Sequence, residues 1–132
     1  MIHTPEISQR IVTIAHMYLG RPYDYKTFDC IHFIVGVYRE VGITIPRFGA
    51  QGYPPPDFNL TPEEFLGKPL GSTIFLKRKA TTSDRIWTHM VMIASPTDFI
   101  HCSRFFGNLV LLTPIETVLE YYYHVPKFVD TQ

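Results

Sequence analysis

Apolar positions Ile7, Ile11, Ile14, Ala15 and Tyr18 recur at helical spacing between about Glu6 and Leu19, and Gly20 with Pro22 closes that segment. A polar, aromatic loop follows, Arg21-Pro22-Tyr23-Asp24-Tyr25-Lys26-Thr27. Asp29 is then placed to cap a second helix from Cys30 to about Val41, ended by Gly42. That helix carries Ile31, Phe33, Ile34, Val35, Val37 and Tyr38, apolar almost all round, which predicts a central, buried position. The stretch from Arg47 to Leu60 holds the consecutive prolines Pro54 to Pro56 and reads as a long surface loop. Thr61-Pro62-Glu63-Glu64 has the form of a capping box with proline at the first helical position, so a short helix is expected there.

Beyond Gly71 the pattern changes. Ser72 to Lys77, Ile86 to Ala94, Asp98 to Ser103 and Asn108 to Thr113 are β-branched or aromatic runs separated by turn chemistry, and they predict four strands. Lys77 to Arg85 reads as a charged connection. Ile115 to Tyr123 predicts a short last helix, with a terminal strand around Val125 to Val129. Helices first and a meander of strands afterwards is the order of an α+β domain, its helices packed on an antiparallel sheet. One domain spanning residues 1–132 fits this length.

Composition narrows the function classes. Apolar residues make up 45% and charged residues 18%, which sets a folded globular chain apart from a disordered one. The formal charge is zero and no basic stripe stands out, so neither nucleic acid nor an anionic membrane is expected as partner. No apolar run is long enough to span a bilayer. Met1-Ile2-His3-Thr4-Pro5-Glu6 lacks the basic and apolar regions of a secretory signal. A cytoplasmic location follows as the expectation, with export by a signal-free route or a trimmed chain as the alternatives. The two cysteines, Cys30 and Cys102, make no disulfide framework and no CxxC pair.

The candidate chemistry rests on three residues. Cys30 stands at a helix start, where unpaired backbone N–H groups favour thiolate over thiol. His89 and His101 lie twelve residues apart, each inside an apolar run. A hairpin with an odd loop centred on Ser95 sets them opposite one another on one sheet face, where one imidazole can fix the tautomer of the other. That face must meet the start of the Cys30 helix for a site to close. Nucleophile, base and orienting group are then all present. Taken singly, each residue is more often a core residue, and His3, His16 and His124 are read as core or surface histidines. A Cys-His-His zinc site is the competing arrangement, but the sequence offers no close-spaced ligand pair and no clear fourth ligand. No metal and no cofactor are expected.

Further motifs carry a resemblance. Gly20-Arg21-Pro22-Tyr23 followed by Phe28-Asp29-Cys30 resembles the signature of the NlpC/p60-type cell-wall peptidases, papain-like cysteine hydrolases. Gly42-Ile43-Thr44-Ile45-Pro46-Arg47, Gly71-Ser72-Thr73-Ile74-Phe75-Leu76, His89-Met90-Val91-Met92 and Phe99-Ile100-His101-Cys102-Ser103 are similar to the family's later elements, in the same order. The resemblance covers Gly20 to about Thr113. It implies that Cys30 is the nucleophile, His89 the general base, and His101 the group that orients His89. Tyr23 corresponds to a family tyrosine near the nucleophile and, with the Cys30 N–H, is a candidate oxyanion donor. Ile31-His32 replaces the family's Ser-Gly. That change puts bulk beside the substrate groove and makes His32, with Asp29, a candidate for substrate contact. The loop between Tyr23 and Cys30 is shorter than usual and lacks the family's Gly-Gly. The implied activity is hydrolysis of a peptidoglycan stem peptide at the γ-D-glutamyl–diaminopimelate bond, with a peptide or muropeptide as partner. The alternatives are an amidase, thioesterase or acyltransferase on a non-wall substrate, and a catalytically silent binding domain. A delivered effector would also have a cognate inhibitor.

Overall fold

The computed structural model describes residues 4–43, 69–82 and 87–125. The expected loop from Arg47 to Leu60, the helix after Thr61 and most of the Pro46-Arg47 element lie outside the described residues.

Helix α1 (Pro5–Met17) begins with Thr4 as its cap, the side chain accepting from the Ile7 N–H at 3.2 Å. Its Ile11, Val12 and Ala15 face inward. Helix α2 (Cys30–Glu40) starts at the residue that the pattern predicts, with Asp29 as its cap. Phe33, Ile34, Val37 and Tyr38 are its buried positions, so the helix is central.

Among the described residues five strands follow: β1 (Thr73–Arg78), β2 (His89–Ile93), β3 (Asp98–Ser103), β4 (Leu109–Pro114) and, after helix α3 (Ile115–Tyr121), β5 (Tyr122–His124). They form one antiparallel sheet in the order β4-β3-β2-β1-β5. The fold is α+β, as the pattern predicts. Two of the predicted elements differ. The last helix stops at Tyr121, short of the expected Tyr123, because Tyr122 and Tyr123 register with Arg78 and Lys77 at the end of β1; of the strand expected around Val125 to Val129, only Val125 is among the described residues. Residues 126–132 lie outside the described residues. β1 also runs to Arg78, into the segment expected to be a connection.

Alternation along the strands sorts the sheet into two faces. Phe75, Met90, Met92, Ile100, Cys102 and Val110 pack against α1 and α2. Ile74, Leu76, Val91, Ile93 and Phe99 pack against Val118 of α3 and Tyr122. Tyr38 ties α2 to the entry of β1, its hydroxyl donating to the Gly71 carbonyl at 2.5 Å and lying 3.0 Å from Thr73 Oγ1. Gly71 itself has φ +85°, and a Cβ there would sit 2.9 Å from Ile11 Cγ2. Only glycine lets the chain pass beneath α1 at that point.

Candidate active site

The β2–β3 hairpin turns through Ser95, Pro96 and Thr97, with Ser95 Oγ accepting from the N–H groups of Thr97 and Asp98 at 3.2 and 3.0 Å. Met92 pairs with Ile100 and Ile93 with Phe99, so the loop is odd but centred on Pro96. The centre expected at Ser95 is one residue early, because the serine hydroxyl caps the turn and leaves the apex to proline. Continued, this register places His101 opposite Val91 and His89 two residues away along the strand. The histidines are therefore diagonal neighbours, and their shared parity keeps them on one face.

That face is the one covered by α3, whereas α2 covers the other. The expectation that the histidine face meets α2 is corrected accordingly. Cys30 reaches the site differently, because α2 begins at the end of the sheet where β2 starts. The backbone N–H of Met90 donates to the Cys30 thiol there. Cys30 and His89 line one cleft of about 570 Å³, together with Tyr23, Cys102 and Ser103.

His89 Nε2 is 2.7 Å from His101 Nδ1, and His101 Nε2 is 2.9 Å from Thr113 Oγ1. All three side chains are buried. The chain of contacts restricts the protons. For Nδ1 of neutral His89 to accept a proton from the thiol, its Nε2–H must donate to His101 Nδ1. His101 then carries its own proton on Nε2 and donates it to the Thr113 hydroxyl. His89 packs on Tyr122 and His101 on Phe106, with ring centroids 5.4 and 5.5 Å apart, which fixes both rings.

Burial dominates the electrostatics. It lowers His101 to about 4 and, with His101 as a second cause, holds His89 well below the ordinary histidine range. Burial likewise pushes the Cys30 thiol up to about 12, against the N–H groups of Met90 and Ile31. The helix start alone favours thiolate, but desolvation is the larger effect here. Burial thus works against charge on either Cys30 or His89. Cys102 is a free buried thiol, its Sγ 3.7 Å from the Phe28 carbonyl.

Tyr23 lines the cleft and is held by backbone pairing. Its N–H donates to Asn108 O at 2.9 Å, while Val110 N–H donates to Arg21 O at 2.9 Å. The short loop that follows closes on itself as Asp24 and Phe28 exchange both backbone bonds, and the Asp24 carboxylate accepts from Lys26 and Thr27. Burial, and next the neighbouring Cys30, raises the Tyr23 hydroxyl above its ordinary value.

Asp29 and His32 lie outside the cleft lining. Asp29 Oδ1 accepts from the His32 N–H at 2.9 Å, and His32 Nδ1 is 2.7 Å from the same carboxylate oxygen. The pair forms a capping box with histidine in the place of the usual glutamate or glutamine. His32 is half exposed, at 50% for its side chain. Among the described residues, no group of three or more His, Cys, Asp or Glu is placed to hold a metal ion. No helix among them is long and apolar enough to cross a membrane.

Thr113, Arg78, Phe105 and Tyr122 were not singled out by sequence reasoning. Thr113 carried one usable signal, a polar residue at an inward position of a predicted strand. Its partner could be named only once the β3–β4 register was known.

This sheet, with a cysteine at the start of a central helix and two linked histidines on adjacent strands, defines a papain-like α+β architecture. Its particular form is the NlpC/P60 fold, which solved structures share with it. An NLP/P60 family lipoprotein-like protein from Staphylococcus aureus superposes with a TM-score of 0.67 at 20% identity, covering 98% of this chain and 44% of that one. An NlpC/P60 family protein from Bacillus cereus gives 0.69 at 25% identity, covering 96% and 41%. The P60 domain of an antigen from M. avium paratuberculosis gives 0.61 at 13% identity, covering 94% of both chains. The chain thus spans less than half the length of the first two structures. No family model matches the chain, and no curated protein is significantly similar to it.

Proposed function

We propose that this chain is a cysteine hydrolase that cleaves amide bonds, with Cys30 as nucleophile and His89 as general base. The observation that carries the reading is the buried hydrogen-bonded line His89–His101–Thr113, which ends in the cleft that Cys30 lines. His101 orients His89 and leaves its Nδ1 to the thiol. In the reaction, His89 takes the thiol proton as Sγ attacks the carbonyl carbon, so the nucleophile forms in concert with attack rather than resting as thiolate. The tetrahedral oxyanion is held by the Cys30 N–H and the Tyr23 hydroxyl. Imidazolium His89 then protonates the departing amine, leaving an acyl-enzyme. A water molecule, deprotonated by His89, releases the acid and restores the thiol.

A peptidoglycan stem peptide is the proposed substrate, cut between γ-D-glutamate and diaminopimelate, in keeping with the NlpC/P60 fold and the ordered sequence motifs. Mass spectrometry of purified muropeptides after incubation with wild-type protein and Cys30→Ala tests this. New fragments are expected from the wild type alone. Their absence would remove the wall substrate, and a Cys30 that no thiol reagent labels would remove the hydrolase.

A further inference from the structure

Two guanidinium groups, of Arg78 and Arg104, line the Cys30 cleft, and among the described residues no carboxylate does. This charge is local, since the whole chain is formally neutral. Among the described residues neither arginine has a carboxylate within ion-pair distance, the one such pair being His32 with Asp29.

Arg104 is exposed, whereas Arg78 is half-buried and held in place. The Arg78 guanidinium carbon stands 3.7 Å from the centroid of the Phe105 ring. Phe105 is itself wedged edge-on against Phe106 and Tyr121, with centroids 4.7 and 5.1 Å away. An Arg78 N–H donates to the Tyr122 hydroxyl, and Tyr122 in turn senses both Arg78 and Cys30. One face of the guanidinium is therefore stacked and one donor is used, and among the described residues its planar fork meets no carboxylate. A stacked, partly desolvated guanidinium is pre-organised for a planar anion that can accept two parallel N–H bonds. Its rotamer freedom is already restricted before any ligand arrives.

We propose that Arg78 forms a subsite for a carboxylate that the substrate carries beside the cleaved bond. The hydrolase reading supplies the position of that bond, and the proposal rests on it to that extent. Arg78 has no part in the proton line through His89, so its role is specificity. The chemical class selected is an acyl compound bearing a free carboxylate close to the amide.

Iodoacetate and iodoacetamide separate this charge effect from the reactivity of the thiol. Both alkylate sulfur with loss of iodide, and they differ in carrying a carboxylate or a neutral amide. The ratio of their rate constants at Cys30 is the readout. Arg78→Gln is expected to lower the iodoacetate-to-iodoacetamide ratio by about five- to tenfold, and Arg104→Gln by less, with salt shrinking both effects. A ratio unchanged by Arg78→Gln overturns the subsite. Should Cys30 react with neither reagent, the hydrolase reading fails, and the subsite is judged by NMR of the Arg78 Nε–H during titration with glutarate. A saturable shift supports it. No shift at about 50 mM, well above the millimolar constant that a charged contact supports, overturns it.

Discussion

His89 and His101 meet diagonally across β2 and β3, with Nε2 of the first 2.7 Å from Nδ1 of the second. The contact repeats one strand further on, where His101 Nε2 meets Thr113 Oγ1 at 2.9 Å, although Phe99 is the residue paired with Thr113. Each step spans twelve residues of sequence, and each joins one strand to the next. With the His89 Nε2–H donating to His101 Nδ1, the Thr113 hydroxyl is the acceptor left for the His101 Nε2–H.

Thr113 is accordingly expected to act as a positioning residue. Thr113→Val keeps the shape but leaves the buried His101 Nε2–H without an acceptor, which costs about 1–3 kcal/mol in stability. Outer-shell partners of a working imidazole are worth roughly 10- to 100-fold in rate. The loss should appear in kcat and in the alkylation rate of Cys30, with KM little changed, and Thr113→Ser should restore most of it. Equal rates in the valine and serine variants would show that the hydroxyl does not orient the pair.

A second expectation concerns the free thiol. Because burial pushes Cys30 up to about 12, the thiolate fraction grows steadily with pH through the neutral and mildly alkaline range. Iodoacetamide labelling of Cys30 should rise about tenfold per pH unit between about 7 and 9. A plateau below about pH 8 would reveal a preformed thiolate–imidazolium pair and overturn the concerted attack proposed above.

Acid should weaken the fold through the same histidines. The folded pKa of His101 is lowered from 6.5 to about 4, so between those values the unfolded chain binds more protons. Stability attributable to this group is fully present above pH 6.5 and is lost as pH falls towards about 4, by up to roughly 3 kcal/mol. Urea midpoints measured from pH 7 down to about 4.5 test this. The decline should be shallower in His101→Gln; identical slopes would assign the acid loss to other groups.

Asp29 serves two ends that one pair of substitutions separates. Its carboxylate caps α2, and its charge is among the causes that raise the Cys30 thiol. Asp29→Ala should cost about 1 kcal/mol by losing the cap, whereas Asp29→Asn keeps a cap of similar quality. Both should speed Cys30 alkylation at a given pH, since both remove the negative charge. Thermal melts and labelling rates read the two effects independently, and slower labelling in the asparagine variant would refute the electrostatic part.

Much of this arrangement is legible along the chain because it is local. Asp29 reads as a cap, Cys30 as a helix start and Gly42 as a stop, since capping is decided within a few residues. The α+β order follows from the change of period after Gly71. The hairpin apex was misplaced by one residue, because a serine hydroxyl capping its own turn leaves no periodic trace. The assignment of the histidines to one face survived, as an odd loop preserves parity whatever its centre. Which face they share was not legible, nor were Thr113, Arg78 and Tyr122. These depend on register across four strands and on the stacking of aromatics, neither of which is written in any one segment.

The line through β2, β3 and β4 has a consequence for how the molecule matures. A slip of one residue in any of these strands would turn a histidine or the threonine to the opposite side of the sheet. Both links depend on β3, so an error there would break them together. A chain that had collapsed with a shifted strand would keep much of its apolar burial yet hold an unoriented imidazole. Reactivity is in this sense a proofreader of assembly. The thiol acquires a working partner only when three separate strands have settled into register.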